Sequence, residues 1–142
     1  MRNILQPFTV AIAYEPLDSE PNWQNLPHHF SDVLLAPSSA QSDPFLFAEE
    51  CSTRFKETEA CILVPGTAFD ALGTRHGRGG GWYDKFLSCV PRTWLRVGLC
   101  TRGQFQESPL VREQWDEPMG MVFVLEQDES WSVYDTRTSS VY

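Results

Sequence analysis

The apolar positions of this chain fall into short runs separated by proline, glycine and charged clusters. Phe8–Tyr14 is apolar and partly β-branched, which predicts a first strand. From Asn22 to Asp43 the chain is rich in Pro, Ser, His and Asn around one apolar piece, Val33-Leu34-Leu35-Ala36. That stretch reads as a loop carrying one short strand or helix. Ala60–Val64 is a continuous apolar run closed by Pro65-Gly66, the pattern of a strand buried on both faces of a parallel sheet. Ala71–Thr74 reads as a turn. Trp82, Phe86, Leu87 and Val90 then share one helical face, and Pro91 ends the helix because the residue before a proline avoids the α region. Trp94–Cys100 predicts the next strand. Met121–Glu126 and Trp131–Tyr134 predict two more, paired as a hairpin across Gln127–Ser130. The Ser/Thr-rich tail, residues 136–142, is expected to fray.

Between the buried strand and the helix lies Arg75-His76-Gly77-Arg78-Gly79-Gly80-Gly81-Trp82-Tyr83-Asp84. Four glycines in five residues let backbone N–H groups approach a ligand with no Cβ in the way. The start of the helix adds unpaired donors and a partial positive charge, so the segment suits a phosphate. Arg75 and Arg78 offer bidentate reach to phosphate oxygens, and Asp84 is placed to hold a magnesium ion accompanying a nucleotide. Neither G-x-x-x-x-G-K-[ST] nor G-x-G-x-x-G fits: no lysine follows the glycines directly, and Trp82 stands where the last glycine belongs. Strand, loop, glycines and helix in this order mark the place where open α/β sheets bind ligands.

Val64-Pro65-Gly66, Phe69-Asp70, Gly73, Arg75, Gly77, Gly79-Gly80-Gly81 and Tyr83-Asp84-Lys85-Phe86-Leu87 resemble the signature of the 5-formyltetrahydrofolate cyclo-ligases, also called methenyltetrahydrofolate synthetases. The family pattern is close to V-P-G-x-A-F-D-x-x-G-x-R-L-G-x-G-G-G-Y-Y-D-R-F-L. Here His76 replaces its leucine, Trp82 its first tyrosine and Lys85 its arginine. Phe105–Leu110 resembles the family's Q-x-x-x-x-[LV]-P region, and Trp115-Asp116-Glu117-Pro118-Met119-Gly120-Met121-Val122 its closing D-x-P-M-D-x-V motif, with Gly120 in place of the second acid. The resemblance runs from about Glu59 to Leu125. It implies a three-layer α/β domain with a mostly parallel, Rossmann-like sheet and helices on both faces. It implies ATP and Mg2+, with 5-formyltetrahydrofolate converted to 5,10-methenyltetrahydrofolate through a phosphorylated formyl group. In that picture Gly77, Gly79, Gly80 and Gly81 cradle phosphates, and Arg75 and Arg78 neutralise developing charge. Asp84 and Asp116 hold magnesium. Glu20, with Glu15 as the alternative, and Tyr83 face the folate. Trp82 and Tyr83 are either helix-face core or a stacking wall at the nucleotide and pterin site; core is the default for Trp82. Family members begin with a basic helix, whereas the first 53 residues here hold a single basic residue, Arg2. A partner's Arg54 or Arg112 across a homodimer is one replacement for that cation. A relative that binds nucleotide or folate without ligation is the alternative function, and another ATP-dependent activation on the same scaffold is a third.

With 42% hydrophobic and 13% aromatic residues, the 142-residue chain is expected to fold as one domain over residues 1–142, its N-terminal part shortened. A net charge of −8 disfavours nucleic acid and anionic membranes as partners. It also makes the clustering of Arg75, Arg78 and Lys85 near the glycines more pointed, since ATP and folate are both anions. No apolar run is long enough to span a bilayer and no signal-like segment follows Arg2, so a cytoplasmic protein is expected. Cys51, Cys61, Cys89 and Cys100 form no C-x-x-C pair; Cys61 and Cys100 read as core residues. His28-His29 has no acid or cysteine cluster at ligand spacing and reads as a surface turn, while His76 either donates to a phosphate or shapes its loop.

Overall fold

The computed structural model describes residues 3–38 and 41–137. Nine strands, two α-helices and two single-turn 3-10 helices alternate along these residues. β1 (Val10–Ala13) is followed by a 3-10 turn (Trp23–Asn25), β2 (Asp32–Leu35) and α1 (Pro44–Arg54). β3 (Cys61–Val64), β4 (Ala68–Asp70) and β5 (Arg75–His76) lead to α2 (Trp82–Leu87). β6 (Leu95–Thr101), a second 3-10 turn (Arg102–Gln104), β7 (Phe105–Gln106), β8 (Met121–Leu125) and β9 (Trp131–Asp135) complete the order.

Six strands form the central sheet in the order β2-β1-β3-β6-β8-β9. The first five are parallel, and β9 adds an antiparallel edge through the hairpin from β8, with Met121 opposite Asp135 and Leu125 opposite Trp131. Every residue of β1 and of β3 is buried, as two-sided burial of a parallel sheet requires. One face carries Ile12, Ile62, Val64, Val122 and Val124 against Phe47, Cys51, Phe86 and Leu87 of the two α-helices. The other carries Cys61, Leu63, Val97, Leu99 and Phe123 against Leu5, Leu26 and Trp23 of the first 3-10 turn. The expected mostly parallel α/β sheet is present, but the expected helices on both faces are not. Among the described residues both α-helices pack on one side, and the 3-10 turn and the N-terminal segment cover the other, because the chain between β1 and β2 forms no helix longer than that turn. A second, three-stranded sheet of order β5-β4-β7 rests on the helical side, where Phe69 packs against Gly98 of β6.

The predicted strands 60–64, 94–100, 121–126 and 131–134 are present within a residue or so, and the 33–36 piece is a strand. Helix α1 is not visible in the hydrophobic pattern. Its apolar residues come consecutively, and Phe45 and Leu46 are exposed while Phe47, Ala48 and Cys51 are buried. Its start is nonetheless encoded: Asp43 caps it, Oδ1 accepting from the amides of Phe45 at 2.8 Å and Leu46 at 3.3 Å, and Pro44 takes the first helical position. Helix α2 stops at Leu87, three residues before Val90, which is buried in the turn that follows. The tail expectation falls mostly on residues 138–142, outside the described residues. Thr136 is held, its amide donating to Gly120 O at 3.0 Å. Among the described residues no helix is long and apolar enough to cross a membrane.

Candidate active site

The strand order reverses between β1 and β3: the chain runs outward from β1 to β2 and then returns to β3 on the other side. Loops leaving the carboxyl ends of β1 and β3 therefore diverge and leave a crevice, the place where such sheets take ligands. The loop after β1 carries Glu20. The loop after β3, Pro65–Thr67, leads into the β4–β5 hairpin, whose turn is the predicted Ala71–Thr74. Asp70 builds that turn. Its fully buried carboxylate accepts from the amides of Leu72 at 3.0 Å and Thr74 at 2.9 Å through Oδ1, and from Leu110 at 2.8 Å through Oδ2. The hairpin carries Arg75 back over the end of β3, where its Nε donates to Pro65 O at 2.6 Å. Thr67 closes the same corner, its amide donating to His76 O at 2.7 Å, and Gln104 Nε2 donates to Gly66 O at 3.3 Å.

Beyond β5 the chain enters the glycines. Gly79, Gly80 and Gly81 have φ of 95°, 78° and 67°, a left-handed run that L residues resist at about 1–2 kcal/mol each. A Cβ on any of them would meet no atom within 4 Å, so the loop opens onto free space. Gly77 is glycine for another reason: a Cβ there would lie 2.7 Å from Arg75 Nη2. The loop is thus shaped around the arginine.

Arg75 is the electrostatic centre. Its guanidinium lies 5.0 Å from the centroid of the Tyr83 ring, a cation–π distance. Burial lowers its pKa, while Asp84, Tyr83, Asp116 and Glu20 act in the opposite direction. Burial also raises the Tyr83 phenol, with Arg75 opposing. Asp84 Oδ1 accepts from the Glu117 amide at 3.0 Å. Its pKa is raised, chiefly by burial; the Glu117 amide and Arg75 pull it down, and the Asp116 and Glu117 carboxylates push it up. Asp116 is fixed by its own turn, Oδ2 accepting from the Glu113 amide at 2.8 Å. Arg78 leaves the glycine loop toward the β1 side, donating to Ser19 Oγ at 3.1 Å and lying 3.6 Å from Glu20.

Glu20, Arg75, Arg78, Tyr83, Asp84 and Asp116 are therefore brought together around the glycines. Glu15 is exposed, whereas the Glu20 side chain is only 6% exposed. Trp82 turns away into the core: it stacks on Phe86 at 5.5 Å, touches Phe47, and its Nε1 donates to Ser42 O at 3.1 Å. His76 shapes the loop, Nε2 donating to Val111 O at 2.7 Å. His28 stacks on Phe30 with ring centroids 4.5 Å apart. Arg54 pairs with Asp32 at 2.7 Å, and Arg112 donates to Thr74 Oγ1 and Leu72 O. Gly120 lies at the start of β8, its amide donating to Arg96 O at 2.8 Å, and offers no ligand. Among the described residues no group of three His, Cys, Asp or Glu side chains converges as a metal-binding set. Asp84 meets the Asp116–Glu117 segment through the Glu117 amide, and one or two carboxylates, with phosphate and water oxygens, are what magnesium takes from a protein.

Residues 46–125, more than half of the chain, match the model of the 5-formyltetrahydrofolate cyclo-ligase family. The chain belongs to this family of enzymes. It is 23% identical over 119 residues to the 5-formyltetrahydrofolate cyclo-ligase of Mycoplasma pneumoniae, covering 80% of this chain and 71% of that protein. It is 38% identical over 64 residues to the Haemophilus influenzae protein of the same name, a match spanning 44% of this chain and only 34% of that relative. The fold resembles the NMR structure of Aquifex aeolicus 5,10-methenyltetrahydrofolate synthetase, with a TM-score of 0.59 and 21% identity, over 95% of this chain and 75% of that one.

The family stretch contains Arg75, Arg78, Tyr83, Asp84 and Asp116 but not Glu20, which reaches the site from outside it. Sequence reasoning missed Ser19, Gln104 and the Asp70 turn as parts of the site. Asp70 had a local signal, an acid directly before the Ala71–Thr74 turn. Ser19 and Gln104 had none, because their partners lie far away along the chain.

Proposed function

We propose that the chain is an ATP-dependent 5-formyltetrahydrofolate cyclo-ligase acting in the cytoplasm. The observation that carries this reading is the convergence of Glu20, Arg75, Arg78, Tyr83, Asp84 and Asp116 around three open left-handed glycines at the switch point of the sheet. The formyl oxygen of the folate attacks the γ-phosphorus of ATP, ADP leaves, and N5 carries an iminium phosphate. N10 attacks the iminium carbon and gives up its proton, inorganic phosphate leaves, and the 5,10-methenyl bridge is complete. The glycine amides and Arg78 receive phosphate oxygens, and Arg75 stabilises the charge that spreads over the transferring phosphoryl group. Asp84 and Asp116 are the residues that would hold a magnesium ion, which would supply further charge neutralisation. Glu20 and Tyr83 orient the folate.

A binding-only relative is the second reading. It is favoured by Gly120, which supplies no second acid, and by Arg54 and Arg112, which are engaged within their own chain. One assay separates the two: purified protein with 5-formyltetrahydrofolate, ATP and magnesium, following the methenyl chromophore and ADP, beside Asp84→Ala. Product that requires both ATP and Asp84 supports the ligase. Calorimetric binding of ATP or folate without product supports the binding-only relative.

A further inference from the structure

We infer that Tyr14 is a positioning residue for Glu20, acting through a clasp it forms with Trp23. The inference rests on the cyclo-ligase reading, in which Glu20 faces the folate. Tyr14 is the first residue beyond β1 and is only 4% exposed. Its hydroxyl donates to Pro21 O at 2.7 Å, and Trp23 Nε1 donates back to Tyr14 O at 2.9 Å. Both rings are anchored in the core on the face away from the α-helices. Two buried aromatic side chains thus use their polar tips to close a single loop.

Inside that loop Glu15, Leu17, Asp18 and Ser19 are exposed, and Glu20 is the acid that turns inward. A reciprocal turn holds it: the Leu17 amide donates to Glu20 Oε1 at 2.9 Å, and the Glu20 amide donates to Leu17 O at 2.9 Å. A carboxylate on a mobile loop would swing into water, because burial costs it hydration. The clasp prevents this. The carbonyl that Tyr14 holds belongs to Pro21, the residue directly after Glu20, so movement at the hydroxyl passes straight to the carboxylate. Displacements of about 1 Å at a reacting centre cost about a hundredfold in rate.

Tyr14→Phe keeps the ring and its burial and removes only the bond to Pro21. The expected result is a rise of about tenfold in KM for 5-formyltetrahydrofolate, as for one lost buried hydrogen bond, with KM for ATP unchanged. The rise should vanish in a Glu20→Gln background, because Tyr14 acts through that carboxylate. Independently of turnover, hydrogen exchange at the amides of Leu17 and Glu20 should quicken about tenfold while β3 and β6 keep their protection. Additive effects of the two substitutions, equal changes in both KM values, or unchanged exchange at Leu17 and Glu20 would each overturn the inference. A wild-type protein without turnover would overturn the cyclo-ligase reading instead, and the exchange measurement would still decide whether Tyr14 holds Glu20.

Discussion

Arg78 and Glu20 lie 3.6 Å apart across the crevice, joining the glycine loop to the loop after β1. The arginine side chain is 52% exposed and the glutamate 6%, so the pair has one wet and one dry partner. On the proposed reading, a phosphate received by Arg78 competes with Glu20 for the same guanidinium. Arg78→Ala is expected to raise KM for ATP about tenfold while moving stability by less than about 1 kcal/mol, the range for a partly exposed pair. Steady-state kinetics beside thermal melting tests this. A fall in stability with kinetics unchanged would make the pair purely structural.

Asp84 should show a conflict between activity and stability. Burial raises its pKa above the ordinary 3.8, so the folded state holds its proton more tightly than the unfolded chain does. The stability gained from that proton is complete below about pH 3.8 and is lost as pH rises through the folded pKa. At neutral pH the ionised carboxylate therefore weakens the fold. Asp84→Asn, which keeps an acceptor for the Glu117 amide, is expected to melt higher than wild type at pH 7.5, with the gap closing toward pH 4. Turnover should fall about a hundredfold or more, as for removal of one electrostatic stabiliser. Melting curves across pH, run beside the activity assay, check both halves.

Gly98 of β6 is fixed by packing. An added Cβ would fall 2.3 Å from Phe69 Cε1 and 3.1 Å from Met119 Cγ, and Phe69 is fully buried. Gly98→Ala is expected to destabilise by about 2–3 kcal/mol, with partial recovery when Phe69→Leu is added. Denaturant unfolding of the three variants measures it.

The four thiols should divide three to one. Cys51, Cys61 and Cys100 are fully buried, and burial pushes Cys51 and Cys100 up to about 12. Cys89 is exposed. Iodoacetamide at pH 8 should add one carbamidomethyl group to the native protein and four to the unfolded one, with Cys89→Ser abolishing the native signal. Mass spectrometry reads the count; modification of a second thiol in the native state would show that the core opens there.

The central strands were legible because their burial is written locally. Cys61–Val64 is apolar at every position and ends in Pro65-Gly66, which leaves little else for it to be. The glycine loop was legible because positive φ at Gly79–Gly81 demands glycine in the sequence itself. Helix α1 escaped because Phe45 and Leu46 face outward beside inward Phe47, which destroys the helical period. The small β5-β4-β7 sheet escaped because its strands are two or three residues long and are joined through Asp70 to an amide at position 110. Phosphate binding was read from residue types near the glycines, and the folate reaction from the family resemblance. The meeting of Arg78 with Glu20 and of Asp84 with the Glu117 amide depends on contacts between segments that no local pattern records; Glu20, already the first choice over Glu15, is the one of the two that turns inward.

The exposed stretch 56–59 between α1 and β3 divides the chain at a revealing point. Glu20, Tyr14 and Trp23 lie on one side of it; Arg75, Arg78, Asp84 and Asp116 lie on the other. Neither half owns the crevice, which comes into being when β1 and β3 join as neighbours in the sheet. Cut at 56–59, the molecule would separate into two pieces, neither of which holds both walls of the crevice.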